Sequence, residues 1–328
     1  MRSVQRLLAP VVIGIVLYGC AAAGAQSAAG GFQRWVAHFR GEALTAGVTP
    51  ATFDRAFAGI EPLSHVIELD QHQPEVRLSF TDYIHRLASP TRRRGVREHL
   101  ADNRRLLDAV RRRYGVDPRF IVALWGIETN FGQSSGDYPV IASLATLAYH
   151  GRRARLFTRE LIAALKIVQR DDIAPADLRG SWAGAMGQCQ FMPTSFLHYA
   201  VSFDHRGRPD IWHSRADIFA SIANYLVQKG WRDDQTWGRF VRVPRRLQAR
   251  FIGLDVEKPL IAWRRLGLRR ADGGSLPVAP FKASLLMPEG QGGPALLVYG
   301  NFRTLLRWNN SQAFATAVGM LADAAKIR

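Results

Sequence analysis

The sequence predicts a mainly α-helical protein of the α+β class with one small β element. Apolar residues recur at helical spacing through most of residues 32–229. Beyond residue 235 the pattern changes to short apolar runs separated by proline and glycine, and it returns to helical spacing near the end. We therefore predict one domain over residues 32–328, with a small β insertion at about 235–300.

The first segment, MRSVQRLLAPVVIGIVLYGCAAAGAQ, has the layout of a secretory signal. Two arginines precede an apolar run over residues 7–18, and small residues follow. Cleavage after Ala25 would release a soluble chain, whereas a lipoprotein-type signal ending before Cys20 would leave that cysteine lipidated. Tyr18 fits a lipoprotein box poorly, which favours release. We expect a signal over residues 1–25 and a periplasmic protein, held at the outer membrane if Cys20 is lipidated.

The chain is strongly basic, with 44 Lys and Arg against 27 Asp and Glu and a net charge of +17. Such a surface indicates an anionic partner: nucleic acid, a membrane face or an acidic polymer. No zinc-finger, RNP or basic-zipper pattern is present, and an exported chain does not meet DNA. We expect a cell-wall polymer as the partner, and no nucleic acid.

The chain has two cysteines, Cys20 and Cys189. Cleavage after Ala25 would leave one of them, so no intramolecular disulfide is expected. No base lies near Cys189 in the sequence to activate it as a nucleophile, and we predict a buried thiol.

Helices fill the region before residue 116. The segment TPATFDRAFAG, residues 49–59, ends at a glycine and has Thr49 or Thr52 as its N-cap. The segment RRRGVREHLADNRRLLDAVRRRYG, residues 92–115, predicts one long basic helix. Its arginines form either a solvated face or a contact with an acidic polymer.

The next helix carries the first candidate site, in the segment VDPRFIVALWGIETNFG. Asp117 can cap this helix and Pro118 fits its first position. One face, at spacing i, i+3, i+4 and i+7, contains Ile121, Leu124, Trp125 and Glu128. Glu128 therefore faces a core or a cleft, either as a general acid with a raised pKa or as the partner of an interior arginine. The segment alone does not decide between the two.

The segment RGSWAGAMGQCQFMPTSF, residues 179–196, is a candidate sugar-binding loop. It combines glycines with neutral hydrogen-bonding groups and flat apolar side chains, which suits a sugar; the alternative is a helix-packing motif of small residues. No carboxylate occurs between Asp177 and Asp204. Since most glycoside hydrolases use two carboxyl groups, this loop cannot supply a second one.

Four ordered motifs, GIETNFG, GSWAGAMGQCQFMPTSF, SIANYLVQKGW and YGNFRTLLRWNNS, resemble the lytic murein transglycosylases of the membrane-bound B type. The resemblance covers roughly residues 32–328. It implies a lysozyme-like helical fold, no cofactor, and a cleft for peptidoglycan glycan strands. It also implies cleavage of the MurNAc-β-1,4-GlcNAc bond without water, which leaves a 1,6-anhydromuramoyl end. Glu128 would act first as acid and then as base, so one carboxyl group suffices.

The motif matches imply further site residues. Those expected to bind the sugar or pack against it are Ser181, Gln190, Phe191, Tyr225, Trp308 and Asn309. Arg152 and Arg153 match a basic pair that would meet the acidic peptide stems, and otherwise they form a solvated helix face. We expect a monomer.

The chain departs from the family pattern in two places. Trp308 stands where tyrosine is common, which keeps the ring but removes the hydroxyl and leaves open whether a hydrogen bond forms there. Some members have a calcium loop where this chain reads SFDHRGRPDIWH. With Ser202 as the first position, Arg206 falls on the fifth and His213 on the twelfth. A cation among the ligand positions would repel calcium, so we predict no metal.

Two other functions compete with this one. A hydrolytic muramidase would need a second acid, for which Asp137, Asp210 and Asp217 are candidates; we expect Asp217 only to cap a helix. A wall-binding protein without activity would not need Glu128 at all.

Overall fold

The computed structural model describes residues 19–72, 78–150, 152–205 and 207–326. The arginines and the apolar run of the predicted signal lie outside these residues, so the signal and the lipidation of Cys20 stay predictions. In the described part of the chain, no helix is both long enough and apolar enough to cross a membrane.

Helices make up most of the described structure. They are α1 Gly19–Thr45, α2 Pro50–Phe57, α3 Ser64–Gln71, α4 Phe80–Leu87, α5 Pro90–Asp102, α6 Arg104–Tyr114, α7 Pro118–Thr129, α8 Val140–His150, α9 Ala154–Asp171, α10 Pro193–Tyr199, α11 Arg215–Gln228, α12 Leu260–Arg265, α13 Gly300–Trp308 and α14 Gln312–Ala324. The predicted mainly helical α+β class is confirmed.

Within the described ranges, seven short strands form two sheets. The strands are β1 Tyr138–Pro139, β2 Arg179–Gly180, β3 Gly238–Arg242, β4 Lys258–Pro259, β5 Arg269–Arg270, β6 Lys282–Leu286 and β7 Leu296–Val298. The first two pair with each other, and the other five form an antiparallel sheet of order β4-β6-β7-β3-β5.

The hairpin predicted after residue 235 corresponds to β6 and β7, but the sheet is larger than a hairpin. Strands β4 and β5 are two residues long, too short to leave an alternating pattern in the sequence. The sheet has its own small core around Trp263, whose Nε1 donates to the Ala283 carbonyl at 2.9 Å.

The helix that carries Glu128 lies at the centre of the main core. Helix α7 packs against α5, α6, α11 and α14, so eight of its twelve residues are buried and none is exposed. Its start is as predicted: the Asp117 side chain accepts from the Arg119 amide, and Pro118 is the first helical residue. Because α7 has neighbours on several sides, the apolar face predicted from the spacing of residues 121–128 is only part of its apolar surface.

One prediction about the helices is wrong. Residues 92–115 form two helices, because α5 ends at Asp102 and α6 starts at Arg104. Asn103 separates them: its amide donates to the His99 carbonyl at 2.8 Å and its Oδ1 accepts from Arg215 at 3.1 Å. Such side-chain bonds to the backbone compete with helix continuation. In contrast, Thr49 caps α2, as one of the two alternatives predicted.

Candidate active site

The end of α7 holds Glu128 at the boundary between core and solvent. After Thr129 the chain turns sharply, with Asn130 at φ 49° and Phe131 at φ 61°, a left-handed conformation that non-glycine residues rarely adopt. This turn folds the Phe131 ring back onto α5 and α7. A Cβ on Gly126 would come within 2.5 Å of that ring, so a glycine is required inside α7.

Thr129 holds the turn in place. Its hydroxyl accepts from the Gly132 amide at 3.0 Å, and its carbonyl accepts from the Ser134 amide at 2.9 Å. Glu128 therefore projects from a helix end whose following residues are held by hydrogen bonds, which fixes the direction of its side chain.

The Glu128 carboxyl has one hydrogen bond from a described side chain. Trp308 Nε1 donates to Glu128 Oε1 at 2.7 Å. Within the described residues no Lys or Arg forms an ion pair with Glu128, which removes the alternative of a structural partner for an interior arginine. Burial raises the pKa of Glu128 from 4.5 to about 7, and the Trp308 hydrogen bond partly opposes that rise.

This bond answers the question about Trp308 that the sequence leaves open. Replacing tyrosine by tryptophan removes the hydroxyl but supplies an indole N–H, which donates to the acid itself. An indole N–H can only donate, so it favours the ionised carboxylate over the neutral acid. The residue is a direct neighbour of the acid.

Two more predicted residues pack on Trp308. Its ring centroid lies 4.8 Å from that of Tyr225 and 5.4 Å from that of Phe191. The Tyr225 hydroxyl donates to the Arg307 carbonyl at 2.5 Å, which anchors the end of α13 beside α11. Burial raises the pKa of Tyr225 to about 12, so its hydroxyl stays protonated. Tyr225 thus positions Trp308, and a contact between Tyr225 and a sugar stays a prediction.

The predicted sugar-binding loop folds back on itself beside these rings. Met186 bridges to Gly180 on one side and to Phe191 on the other, so the segments that contain Ser181 and Gln190 flank the segment at Met186. The Ser181 hydroxyl accepts from the Ala185 amide at 3.0 Å. These bonds bring the loop to Trp308 and hence to Glu128.

Gln190 is strained within the loop. Its φ is 50°, and its Nε2 donates to the carbonyls of Ser135 and Gly187, both at 2.9 Å. Non-glycine residues hold such a conformation only where surrounding bonds impose it, and functional sites are where such residues concentrate. Its amide nitrogen is therefore committed to the protein, which leaves the carbonyl oxygen as the group it can offer to a ligand.

Gln188, a neutral hydrogen-bonding residue of the same loop, faces the protein. Its Oε1 accepts from Trp125 Nε1 at 2.8 Å, and its Nε2 donates to the Trp212 carbonyl at 2.6 Å. It ties the loop to α7, which also carries Glu128. Cys189 next to it is buried, as predicted, and burial raises the pKa of the thiol well above its usual range.

The remaining residues predicted to contact the substrate are Asn309, Arg152 and Arg153. Asn309 follows Trp308 at the end of α13 and is exposed. Arg152 and Arg153 lie in the turn before α9, not on a helix face, and both contact Asp70: Arg152 Nη2 donates to its carbonyl at 2.6 Å and Arg153 Nη2 to its carboxylate at 3.2 Å. Both side chains are exposed to solvent, although in a turn and not on a helix face, and the role of the pair in binding peptide stems stays a prediction.

The three candidate second acids have other tasks. Asp137 is fully exposed, 3.7 Å from Arg179. Asp210 accepts from the backbone amides of Trp212 and His213. Asp217 does not cap its helix as expected, because Ser214 does; its carboxylate accepts instead from the amides of Phe203 and Asp210, both at 2.9 Å.

These bonds also bear on the calcium loop. Asp217 takes up backbone donors of the loop, so its oxygens already have partners. Among the described residues no group of three or more His, Cys, Asp or Glu side chains is arranged to hold a metal ion. Arg206, on which the prediction turned, lies outside the described residues.

Sequence reasoning missed Glu160. This residue of α9 is 2% exposed, and its carboxylate accepts from the Thr194 amide at 2.9 Å and the Thr194 hydroxyl at 3.0 Å. It thereby fixes the start of α10, which begins within the last residues of the candidate sugar-binding loop. A signal existed: Glu160 lies among Phe157, Leu161 and Ala164 on the apolar face of α9.

A helical domain that presents one partly buried glutamic acid beside aromatic rings and a glycine-rich loop has the construction of a lysozyme-like, glycan-cleaving protein. The model of the Transglycosylase SLT domain family matches residues 31–323. The chain belongs to this family.

Individual relatives agree. The chain is 33% identical over 224 residues to membrane-bound lytic murein transglycosylase B of Escherichia coli, a match that covers 64% of this chain and 57% of that protein. It is 46% identical to SltB3 of Pseudomonas aeruginosa, solved with NAG-NAM-pentapeptide, with a TM-score of 0.86 over 90% of this chain and 79% of that one. It is 27% identical to the Escherichia coli lytic transglycosylase Slt35, solved with calcium, with a TM-score of 0.74 over 90% and 92% of the two chains.

Proposed function

We propose that the protein is a peptidoglycan lytic transglycosylase, which cleaves the MurNAc-β-1,4-GlcNAc bond and leaves a 1,6-anhydromuramoyl end. The observation that carries the proposal is the state of Glu128: a partly buried carboxyl with a pKa of about 7 and no ion pair among the described residues. Near neutral pH such a group exists in both protonation states, and this is what a residue needs to act as acid and base in turn.

In the first step protonated Glu128 acts as a general acid. It gives its proton to the glycosidic oxygen as the bond to the muramoyl anomeric carbon breaks, and the GlcNAc hydroxyl leaves. Positive charge builds on the anomeric carbon, where the acetamido carbonyl of the same sugar can stabilise it. Trp308 stays hydrogen-bonded to the carboxylate that this step creates.

In the second step the same carboxylate acts as a general base. It takes the proton from the C6 hydroxyl of the muramoyl residue, whose oxygen attacks the anomeric carbon and closes the 1,6-anhydro ring. Glu128 is protonated again, and no water is consumed. The step requires no second carboxylate, which fits the structural tasks of Asp137, Asp210 and Asp217.

The substrate assignment has independent support. SltB3 was solved in complex with NAG-NAM-pentapeptide and also with NAG-anhNAM-pentapeptide, and the second ligand corresponds to the anhydro product proposed for this chain. A net charge of +17 suits a polymer whose peptide stems carry carboxylates. Ser181, Gln190 and Asn309 would meet the sugars, and Arg152 and Arg153 the stems.

The site of action follows from the substrate. We infer a monomer that is exported to the periplasm, either released after Ala25 or anchored at the outer membrane through Cys20. Mass spectrometry of the mature N-terminus distinguishes the two, because cleavage before Cys20 leaves a lipid mass on the first residue.

The chemistry is tested on the products. Purified peptidoglycan is digested with wild type, Glu128→Gln and Glu98→Gln, the last being the same change at an exposed glutamate. The fragments are treated with borohydride, which reduces free muramic acid ends but not anhydro ends. We expect non-reducible fragments from wild type and Glu98→Gln, and almost none from Glu128→Gln. Reducible ends from wild type would show a hydrolytic muramidase instead.

A further inference from the structure

A cavity of about 540 Å³ lies where α5 and α14 meet the five-stranded sheet. Its lining comes from Arg93 on α5, from β3 and the turn after β5, and from the end of α14. Its lining includes neither Glu128 nor the three aromatic residues beside it, Trp308, Tyr225 and Phe191. Its volume is within the range of cavities that bind small ligands.

Of the charged residues that line this cavity, both aspartates have a cationic partner, but two of the arginines have no anionic one in the part of the chain that the structure describes. Three arginines and two aspartates line it. Asp272 forms an ion pair with Arg270, and Asp323 accepts from Trp237 Nε1 at 2.9 Å and forms an ion pair with Lys326 at 2.8 Å. Each acid therefore already has a cation of its own.

The two remaining arginines, Arg93 and Arg239, form no ion pair with a described residue. Arg239 Nε donates to the Tyr299 hydroxyl at 2.8 Å. Arg93 Nε is buried and has no hydrogen-bond partner among the described residues. Because neither guanidinium group has a carboxylate partner among the described residues, an anionic ligand in the cavity would supply the missing counter-charge.

The rest of the lining is apolar. Trp237, Phe240 and Met320 line the same cavity as the charged residues. A ligand that fits both parts has a carboxylate beside an aliphatic body. Guanidinium groups bind carboxylates through two parallel hydrogen bonds, whereas an apolar floor contributes nothing to the binding of a bare inorganic anion.

We propose that this cavity is an accessory site for the acidic peptide stem of peptidoglycan. The inference rests on the proposed function for the identity of the polymer, but not on the chemistry at Glu128. A strand held at this site and at the catalytic cleft dissociates more slowly than one held at the cleft alone, because the second contact forms within the same complex. The site would keep the enzyme on the wall between successive cleavages.

The test uses a sugar-free peptide of stem composition, titrated into the full chain by isothermal titration calorimetry. We expect saturable binding that weakens about tenfold for each of Arg93→Gln and Arg239→Gln, since a hydrogen bond to a charged group has about that value. Ala271→Asp places a negative charge at the exposed rim of the cavity and should weaken binding without touching the core. Arg105→Gln, at an exposed arginine of α6, is the matched control and should leave binding unchanged.

Three results would overturn the proposal: no saturable binding to wild type, equal affinity in the Arg93, Arg239 and Ala271 variants, or full displacement of the peptide by equimolar inorganic phosphate. Circular dichroism of each variant separates lost binding from lost folding. Because the peptide contains no glycosidic bond, the titration is independent of turnover. Peptide binding by a chain that releases no anhydro fragments would refute the proposed function and leave this site standing.

Discussion

Glu128 at the end of α7 and Glu160 in α9 are both glutamates on apolar helices, and both are withdrawn from water. Glu160 accepts from the Thr194 amide and hydroxyl and lies 3.3 Å from Arg159, so its charge is well compensated. Glu128 accepts from Trp308 alone among the described side chains. A buried carboxylate that accepts several hydrogen bonds stays ionised and stabilises the fold. A buried carboxyl group with few donors has a raised pKa, so it can hold a proton near neutral pH and transfer it to a substrate.

The largest expected effect is on catalysis. Glu128→Gln keeps the shape of the side chain but removes the exchangeable proton, so the rate of wall lysis should fall at least about a hundredfold. The measurement is the loss of turbidity of a peptidoglycan suspension. Glu160→Gln, at the compensated glutamate, should retain a rate within several-fold of wild type per folded molecule. Equal losses of lysis rate in the two variants would contradict the assignment of Glu128 to catalysis and Glu160 to structure.

For the free energy of unfolding, we expect the larger loss at Glu160 and not at Glu128. Glu160→Ala leaves the Thr194 amide and hydroxyl buried without their acceptor, so the free energy of unfolding should fall by about 3 kcal/mol. Urea unfolding at pH 7 measures this value. A decrease below about 1 kcal/mol would mean that Glu160 is not the structural counterpart of Glu128.

The pH dependence of stability should differ between wild type and Glu128→Gln. The pKa of Glu128 is about 7 in the folded state and 4.5 as its ordinary value, so folding binds a proton between these pH values. Wild type therefore loses stability relative to Glu128→Gln as the pH rises from 4.5 through 7, by about 3 kcal/mol in all. Paired urea titrations at pH 4.5 and pH 8 measure the difference, and a constant difference would contradict a raised pKa.

The smallest effect concerns Trp308. Trp308→Phe removes the donor that favours the carboxylate, so the pKa of Glu128 should rise further. The alkaline limb of the pH profile of kcat/KM, set near 7 by protonated Glu128, should move up by about 0.5 to 1 on the pH scale. Trp308→Tyr restores a donor and should move the limb back. A profile that shifts equally in both variants would reduce Trp308 to a packing residue.

The sequence predicted the helical framework and the acid for physical reasons that act locally. The cap at Asp117, the proline after it and the apolar spacing up to Glu128 are all read from consecutive residues, and the structure has them. The break at Asn103 was missed because it depends on a hydrogen bond from Arg215, more than a hundred residues away in the chain.

The partners within the site could not be predicted, because they are set by contacts distant in sequence. The motif match identified Trp308 as a site residue, but only the tertiary structure shows its N–H reaching Glu128. Likewise Gln188 is one of the neutral hydrogen-bonding residues of the 179–196 segment, and its bonds to Trp125 and Trp212 direct it toward the protein. Residue type predicts what a group can bond, and the tertiary fold decides which partner it meets.

The central claim is that Glu128 serves as both acid and base, with no water taking part. Digestion of peptidoglycan in water enriched in oxygen-18, followed by mass spectrometry of the fragments, tests this most directly. We predict muramoyl ends that are one water lighter than hydrolysis products and carry no oxygen-18. Incorporation of the label at the new muramoyl ends would contradict the account.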